Sequence, residues 1–475
     1  MSAPRLPLPG RIAAASAAVL LAAVTLSSCA DGTTAAPASS SSAAAGGRYV
    51  IGSTEPDGNI SPVTTADGNS MTIVSLANSS LVEVDTAGKL VPQLATKWSA
   101  SGDGLTWTIT LRKGAKFSDG SPVTVKDAVD SFTSLLAPNS QSPAKSSFTG
   151  IVKSVAAGSG DSTVVFRLER PYSDFPYLLA GANTYILPSG VNDADWIHHP
   201  VGAGQFVLES YTPGQGVVYK KNPNYWDAAN VKLDGVDIKF YADQQSELLA
   251  FQSGEIDSIE AGSQATASLK SADYREVKSG YVKFDGIVFN VTKAPFDDVK
   301  VRQAVAWALD RKAIVDTVYG GAAKVANDVP TFPDYLIQPT GLTTREKDLA
   351  KVKSLIGDRK IAFTITTYQG EQTLAELVQQ QLNATGNFTV KLDIKTPAAY
   401  YADGASTPWL NAPVTITDWA ERLPSQYIGL LYAKSSSWNA SHYSNPALEK
   451  LAAKFDATTD PTEQQSLANQ IAAIE

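Results

Sequence analysis

Cysteine, methionine and histidine are nearly missing from this chain: 475 residues hold 1 Cys, 2 Met and 3 His. A single thiol can neither close an intrachain disulfide nor build a thiolate metal site. His198 and His199 are adjacent, before Pro200, so their side chains are expected to diverge, and His442 stands far from both. No spacing of nearby Asp, Glu or His makes a zinc or nickel site, so no metal is expected. A basic run is also lacking: 39 Lys+Arg against 47 Asp+Glu leave a net charge of −8, which argues against nucleic acid as a partner. There is no G-x-S-x-G elbow and no G-x-x-x-x-G-K-[ST] loop. The pair Gly202-x-Gly204 has no third glycine and runs into strand-like alternation, so nucleotide binding is not supported. Neither a catalytic centre nor a cofactor is expected. An enzyme would need a scattered constellation that no motif marks.

What is present begins with a leader. Arg5 and Arg11 make a positive n-region ahead of the apolar stretch Ile12–Leu26, which is too short for a comfortable membrane span and reads as a secretory signal peptide. The stretch ends Leu26-Ser27-Ser28-Cys29, which resembles the lipobox of bacterial lipoproteins. That resemblance implies cleavage after Ser28, with Cys29 as the lipid-bearing first residue. Residues 30–47 (ADGTTAAPASSSSAAAGG) carry almost no large side chain and read as a tether of roughly 25 Å average reach. Beyond it the chain is too long for one core, so two or more domains are expected. Hydrophobic residues at 43% and charged residues at 18% describe a globular protein.

Periodicity supplies the elements. Leu105–Leu111 (LTWTITL) alternates as a half-buried strand, and Thr124-Val-Lys-Asp127 opens a helix with a capping box and an apolar stripe of Val125, Ala128, Val129, Phe132, Leu135 and Leu136. Val236, Ile238 and Phe240 mark another strand, followed by a short helix. Ile361–Thr367, a helix striped by Leu374, Leu377, Val378 and Leu382, a stop at Gly386, and a strand at Val390, Leu392 and Ile394 form a β–α–β unit. Such a unit implies a parallel pair and an α/β architecture. The segment 295–311 (PFDDVKVRQAVAWALDR) predicts an amphipathic helix started by Asp297 and Asp298. Val301, Ala304, Val305, Ala308 and Leu309 face inward, while Lys300, Arg302, Gln303, Asp310 and Arg311 take the other face.

The order of these pieces is similar to that of the family 5 extracytoplasmic solute-binding proteins, the peptide and nickel binding subunits of ABC importers. The likeness rests on Phe289-Asn290, then PFDD, VRQA and LDR. It also rests on Leu81–Asp85, Gly88–Ala95, Trp98, Asp103–Trp107, Leu111–Gly114 and Lys116–Gly120. GAGQF after Val201, Asn222–Trp226, Gly254–Asp257 and the Tyr443-Ser-Asn-Pro446 stretch with its late helix to Glu475 extend it over residues 48–475. The resemblance implies a two-lobed α/β periplasmic-binding-protein-like fold of class II, the large three-subdomain type, with a hinge and an interlobe cleft. Lobe 1 is expected at 48–75 and 182–272, an inserted subdomain at 76–181, and lobe 2 at 273–475. The family's closing strands back to the first lobe do not follow, and a C-terminally truncated chain is the favoured reading.

The function so implied is capture of an extracellular solute, most simply a di- or oligopeptide, and delivery to a permease and its ATPase by a lipid-anchored monomer outside the cell membrane. The same fold could hold an oligosaccharide, an opine-like conjugate or a metal chelate. A secreted enzyme or a signalling receptor is the alternative from another class. A binder needs aromatic walls and a few fixed polar groups. Candidates are Trp409, and Asp418 and Trp419 within Thr415–Leu430 (TITDWAERLPSQYIGL). In peptide-binding members an Asp three places after this tryptophan takes the ligand's amino group. Here that place is Arg422, with Glu421 beside it. Either Glu421 or Asp418 substitutes, or the ligand is oriented differently or is not a peptide, since an Arg favours a carboxylate or phosphate. Glu55 and Asp57, before Ile60-Ser-Pro62, resemble the stretch where some members place a ligand-facing acid.

Overall fold

The computed structural model describes residues 46–56, 58, 60–191, 193–260, 269, 274–277, 283–329, 337–342, 344–402, 407–420, 422–434 and 436–474. Cys29, Asp57, Glu421, the leader and the tether as far as Ala45 therefore lie outside the described residues. Helices are numbered only where they run two turns or more.

The first sheet is built from two distant parts of the chain. Strand β1 (Arg48–Thr54) leads to α1 (Gly68–Ala77), capped by Asp67, whose carboxylate accepts from Ser70 N at 2.8 Å. The chain then leaves this sheet. It forms the hairpin β2 (Val82–Val84) and β3 (Leu90–Pro92) and an antiparallel sheet of β4 (Ala95–Ala100), β5 (Thr106–Leu111), β6 (Val152–Ala157) and β7 (Thr163–Leu168), with α2 (Val125–Leu136) between β5 and β6. Trp107, Ile109 and Leu111 of β5 are buried on one face, as its alternation predicts. The capping box of α2 forms: Thr124 N donates to Asp127 at 2.8 Å, and Asp127 N donates to Thr124 Oγ1 at 3.3 Å. The chain returns as β8 (Phe206–Thr212), β9 (Gly216–Lys221) and β10 (Gly235–Tyr241), giving the order β1-β10-β9-β8 with β1 parallel to β10. Helix α3 (Gln244–Ser253) follows, closed by Gly254 at φ 76°.

The glycine pair before β8 has a steric reason. A Cβ on Gly202 would lie 2.2 Å from the Ala77 carbonyl oxygen, and one on Gly204 would lie 2.5 Å from the Ala77 carbonyl carbon. Gly204 N donates to that oxygen at 2.9 Å. The pair lets the chain press onto the last turn of α1, and no phosphate need be invoked.

The third sheet holds the β–α–β unit. Strand β11 (Lys283–Phe289) is followed by α4 (Val299–Ala308), α5 (Arg311–Tyr319) and α6 (Leu349–Ile356). Next come β12 (Ile361–Tyr368), α7 (Gln372–Ala384), β13 (Phe388–Lys395) and β14 (Val414–Ala420). The order is β11-β14-β12-β13, with β12 parallel to both β13 and β14, and β11 antiparallel to β14. Helix α4 buries Val301, Ala304, Val305 and Ala308 and is capped by Asp298, as its pattern predicts. It does not run to Arg311. It stops at Ala308, and Asp310 starts a new helix by accepting from Ala313 N at 2.9 Å. The late helix is likewise two helices, α9 (Pro446–Ala457) and α10 (Pro461–Ala472), which follow α8 (Pro424–Leu431). Asp460 accepts from Thr462 N and Glu463 N, and Pro461 sits at the first helical position, where its missing N–H costs nothing.

One expectation is corrected. The adjacent histidines do not diverge: His198 Nδ1 lies 2.7 Å and His199 Nε2 3.5 Å from the two oxygens of Asp195. A tight turn over Asp193–His198 carries both rings to one carboxylate, and all three side chains are exposed. Among the described residues, no group of three or more His, Cys, Asp or Glu is arranged to hold a metal ion. No helix among them is long and apolar enough to cross a membrane.

Candidate functional site

The carboxyl ends of β12, β13 and β14 lie along one edge of the third sheet, and the antiparallel β11 starts there. In open α/β sheets this edge is where ligands bind, because loops leaving the strands diverge and leave a crevice. Here the edge gathers charge. Asp285 of β11 is directly opposite Asp418 of β14. Lys283 Nζ is 2.8 Å from Glu371 Oε1 and forms an ion pair with Asp285 at 2.9 Å. Tyr319 OH donates to Asp285. Tyr368 OH and Tyr401 OH both donate to Asp418 Oδ1, at 2.8 and 3.0 Å, and among the described residues nothing donates to Asp418 Oδ2. Two carboxylates thus share one ammonium, and the third, Asp418, is held by two phenols.

The electrostatics follow from that crowding. Burial raises the Glu371 carboxyl; Lys283 opposes the rise, and the charges of Asp285 and Asp418 add to it. Burial works to lower Lys283, but hydrogen bonds to Glu371 and Asp285 overcome it and hold the ammonium charged. Tyr401 is pushed up to about 12, by burial first. Tyr368 is raised by burial and by its bond to Asp418, so both phenols remain donors.

Beside this polar edge stands an aromatic group. Trp419 is paired in register with Phe284 and stacks on it at 6.4 Å between ring centroids. Trp409, Trp419 and Trp438 touch pairwise at 5.9–6.0 Å. Trp419 is only 4% exposed, whereas Trp438 is 41% exposed and offers a face to solvent. The Arg422 guanidinium lies 5.4 Å from the Trp438 ring centre. Two buried donors in this group have no acceptor, Trp419 Nε1 and Arg422 Nε. A buried donor left unpaired costs about 1–3 kcal/mol, so each such atom asks for an explanation.

Of the residues singled out in the sequence, Trp409, Asp418, Trp419 and Arg422 come together here. Glu55 belongs to the first sheet, at the carboxyl end of β1. Both its oxygens are engaged there, accepting from Tyr211 OH and Gly214 N at 3.0 Å each. Burial first, and then Glu55, push Tyr211 up to about 12. Sequence reasoning missed Lys283, Asp285, Tyr368, Glu371, Tyr401 and Trp438. Tyr368 carried a usable signal, since it directly follows a predicted parallel strand.

The segment after β14 also meets the middle of the chain. Leu423 is buried in the core of the β4–β7 sheet. Ser425 N, in the first turn of α8, donates to Asp174 at 3.3 Å, and Arg170 pairs with Asp456 of α9 at 2.6 Å.

Known proteins share this architecture. The chain superposes on HbpA2 from Haemophilus parasuis with a TM-score of 0.80 at 23% identity, over 90% of this chain and 92% of that one. It superposes on the oligopeptide-binding protein AppA from Bacillus subtilis, solved with a nonapeptide, with a TM-score of 0.60 at 25% identity over 90% and 91%. The fold is the two-lobed α/β fold of periplasmic binding proteins. The profile of the bacterial extracellular solute-binding proteins, family 5, matches residues 89–441, and the chain belongs to that family. It is a binding protein that works outside the cytoplasm, not an enzyme. The probable D,D-dipeptide-binding periplasmic protein DdpA of Escherichia coli K12 is 28% identical to it, over 87% of this chain and 84% of DdpA.

Proposed function

We propose that the protein captures short peptides outside the cell and hands them to the permease and ATPase subunits of an ABC importer. The observation that carries this reading is the excess of carboxylate over ammonium at the carboxyl edge of the third sheet, set beside exposed aromatic surface. Asp418, with Oδ2 open and its position fixed by two tyrosines, takes the peptide's amino group through a charge-assisted hydrogen bond. It takes the part that the family resemblance assigns to an Asp at the place of Arg422. Trp409 and Trp419 back the wall to which Trp438 adds an open face. The names of DdpA and AppA, a dipeptide binder and an oligopeptide binder, support the ligand class.

On this reading lobe 1 comprises residues 48–75 and 182–272, a subdomain occupies 76–181, lobe 2 runs from 273, and Glu55 approaches solute from lobe 1. Cys29 carries the lipid that holds a monomer at the outer face of the membrane, and 30–47 is its tether. The test is mass spectrometry of small molecules released from the purified protein. Mixed short peptides are expected, and Asp418→Asn should weaken their rebinding at least about tenfold. Release of a single sugar, opine or metal species would refute the peptide reading.

A further inference from the structure

Asp418 and Arg422 carry opposite charges on one short segment, and the structure separates their surroundings. Asp418 faces two tyrosyl hydroxyls. Arg422 and Trp419 both lie against Trp438, and each keeps one buried N–H without an acceptor. No carboxylate among the described residues forms a salt bridge with Arg422, although the Asp285, Glu371 and Asp418 carboxylates lie on the same sheet edge. A guanidinium and an indole N–H left unpaired beside an exposed ring are complementary to an oxygen anion that arrives with the ligand.

We infer that this site takes ligands bearing an acidic group close to their amino group: Asp418 receives the ammonium, and Arg422 with Trp419 receives the oxyanion over the face of Trp438. This rests on the reading that Asp418, Trp419 and Arg422 line the solute site. It makes Arg422 a residue that selects among solutes. A site whose buried donors are met only by an acidic ligand rejects the neutral analogue, because that analogue leaves the donors dry and unpaired.

Calorimetry with three probes tests the inference on the purified protein and on Arg422→Gln: the tripeptide Glu-Ala-Ala, its neutral isostere Gln-Ala-Ala, and inorganic phosphate. The wild type is expected to bind Glu-Ala-Ala at least about tenfold more tightly than Gln-Ala-Ala, and R422Q should narrow the gap to about threefold or less. Arg422→Lys keeps the charge but loses the planar fork, so its intermediate ratio keeps the test readable should R422Q not fold. Equal binding of the two peptides by the wild type overturns the acidic-group assignment and leaves the peptide reading standing. Phosphate binding that R422Q abolishes, with neither peptide bound, upholds the oxyanion assignment and overturns the peptide reading. Failure of all three probes overturns both.

Discussion

At the scale of single residues, Trp419 belongs to the core, and on the proposed reading it meets solute as well. Its ring is enclosed by Phe284, Trp409 and Trp438, while its N–H is unmet. Trp419→Ala is expected to weaken solute binding by about 1–3 kcal/mol. It also hollows the cluster, and such truncations cost about 3–5 kcal/mol of stability. Trp419→Phe separates the two effects, because it keeps most of the ring and removes the donor. Its unfolding midpoint should stay near that of the wild type while affinity for acidic peptides falls. Calorimetry showing unchanged dissociation constants in both variants would take the indole out of the site. The sequence brought Trp409, Asp418 and Trp419 to notice through a late aromatic stretch, and Arg422 through its departure from the family pattern. Lys283 and Glu371 were not legible, since only the strand order β11-β14-β12 brings them to the edge where Asp418 lies.

Among elements, what the sequence made plain was periodic and local, and what it hid was the stopping points. The stripe of α4 and the capping box of α2 follow from residue spacing alone. The break between α4 and α5 was hidden because Asp310 fits a solvent face as well as it fits a cap. Only the fold, by turning the chain at Leu309, decides for the cap. Gly202 and Gly204 show the same limit: the pair is conspicuous, yet its cause is the carbonyl of Ala77, well over a hundred residues earlier in the chain. Gly202→Ala puts a methyl group onto that oxygen and should destabilise the protein by about 1–3 kcal/mol, read as a lower urea midpoint. An unchanged midpoint would mean that the last turn of α1 yields freely.

In the molecule as a whole, the middle of the chain and its C-terminal helices meet through contacts that no local pattern announces. Asp174 and Ser425 are 251 residues apart. Burial raises the Asp174 carboxyl from its ordinary 3.8 to about 6; bonds to Ser425 oppose the rise, and the charge of Asp456 adds to it. Arg170, paired with Asp456, and Tyr172 and Tyr177 also border this site. Between those two values the folded chain keeps a proton that the unfolded chain has released. The associated stability is therefore complete below pH 3.8 and is lost as the pH rises through about 6. The loss comes to about 3 kcal/mol. Asp174→Asn should be the more stable protein at pH 7, with its advantage shrinking toward pH 4, as denaturant titrations at both pH values would report. A difference that ignores pH would show that the carboxyl titrates in the fold as it does in the unfolded chain, so that burial does not raise it. Leu423, one residue beyond Arg422, is seated in the core of the β4–β7 sheet. If Arg422 grips solute, grip and seat are reciprocal: solute that steadies the segment tightens the docking of Leu423, and whatever prises Leu423 out loosens solute by the same factor.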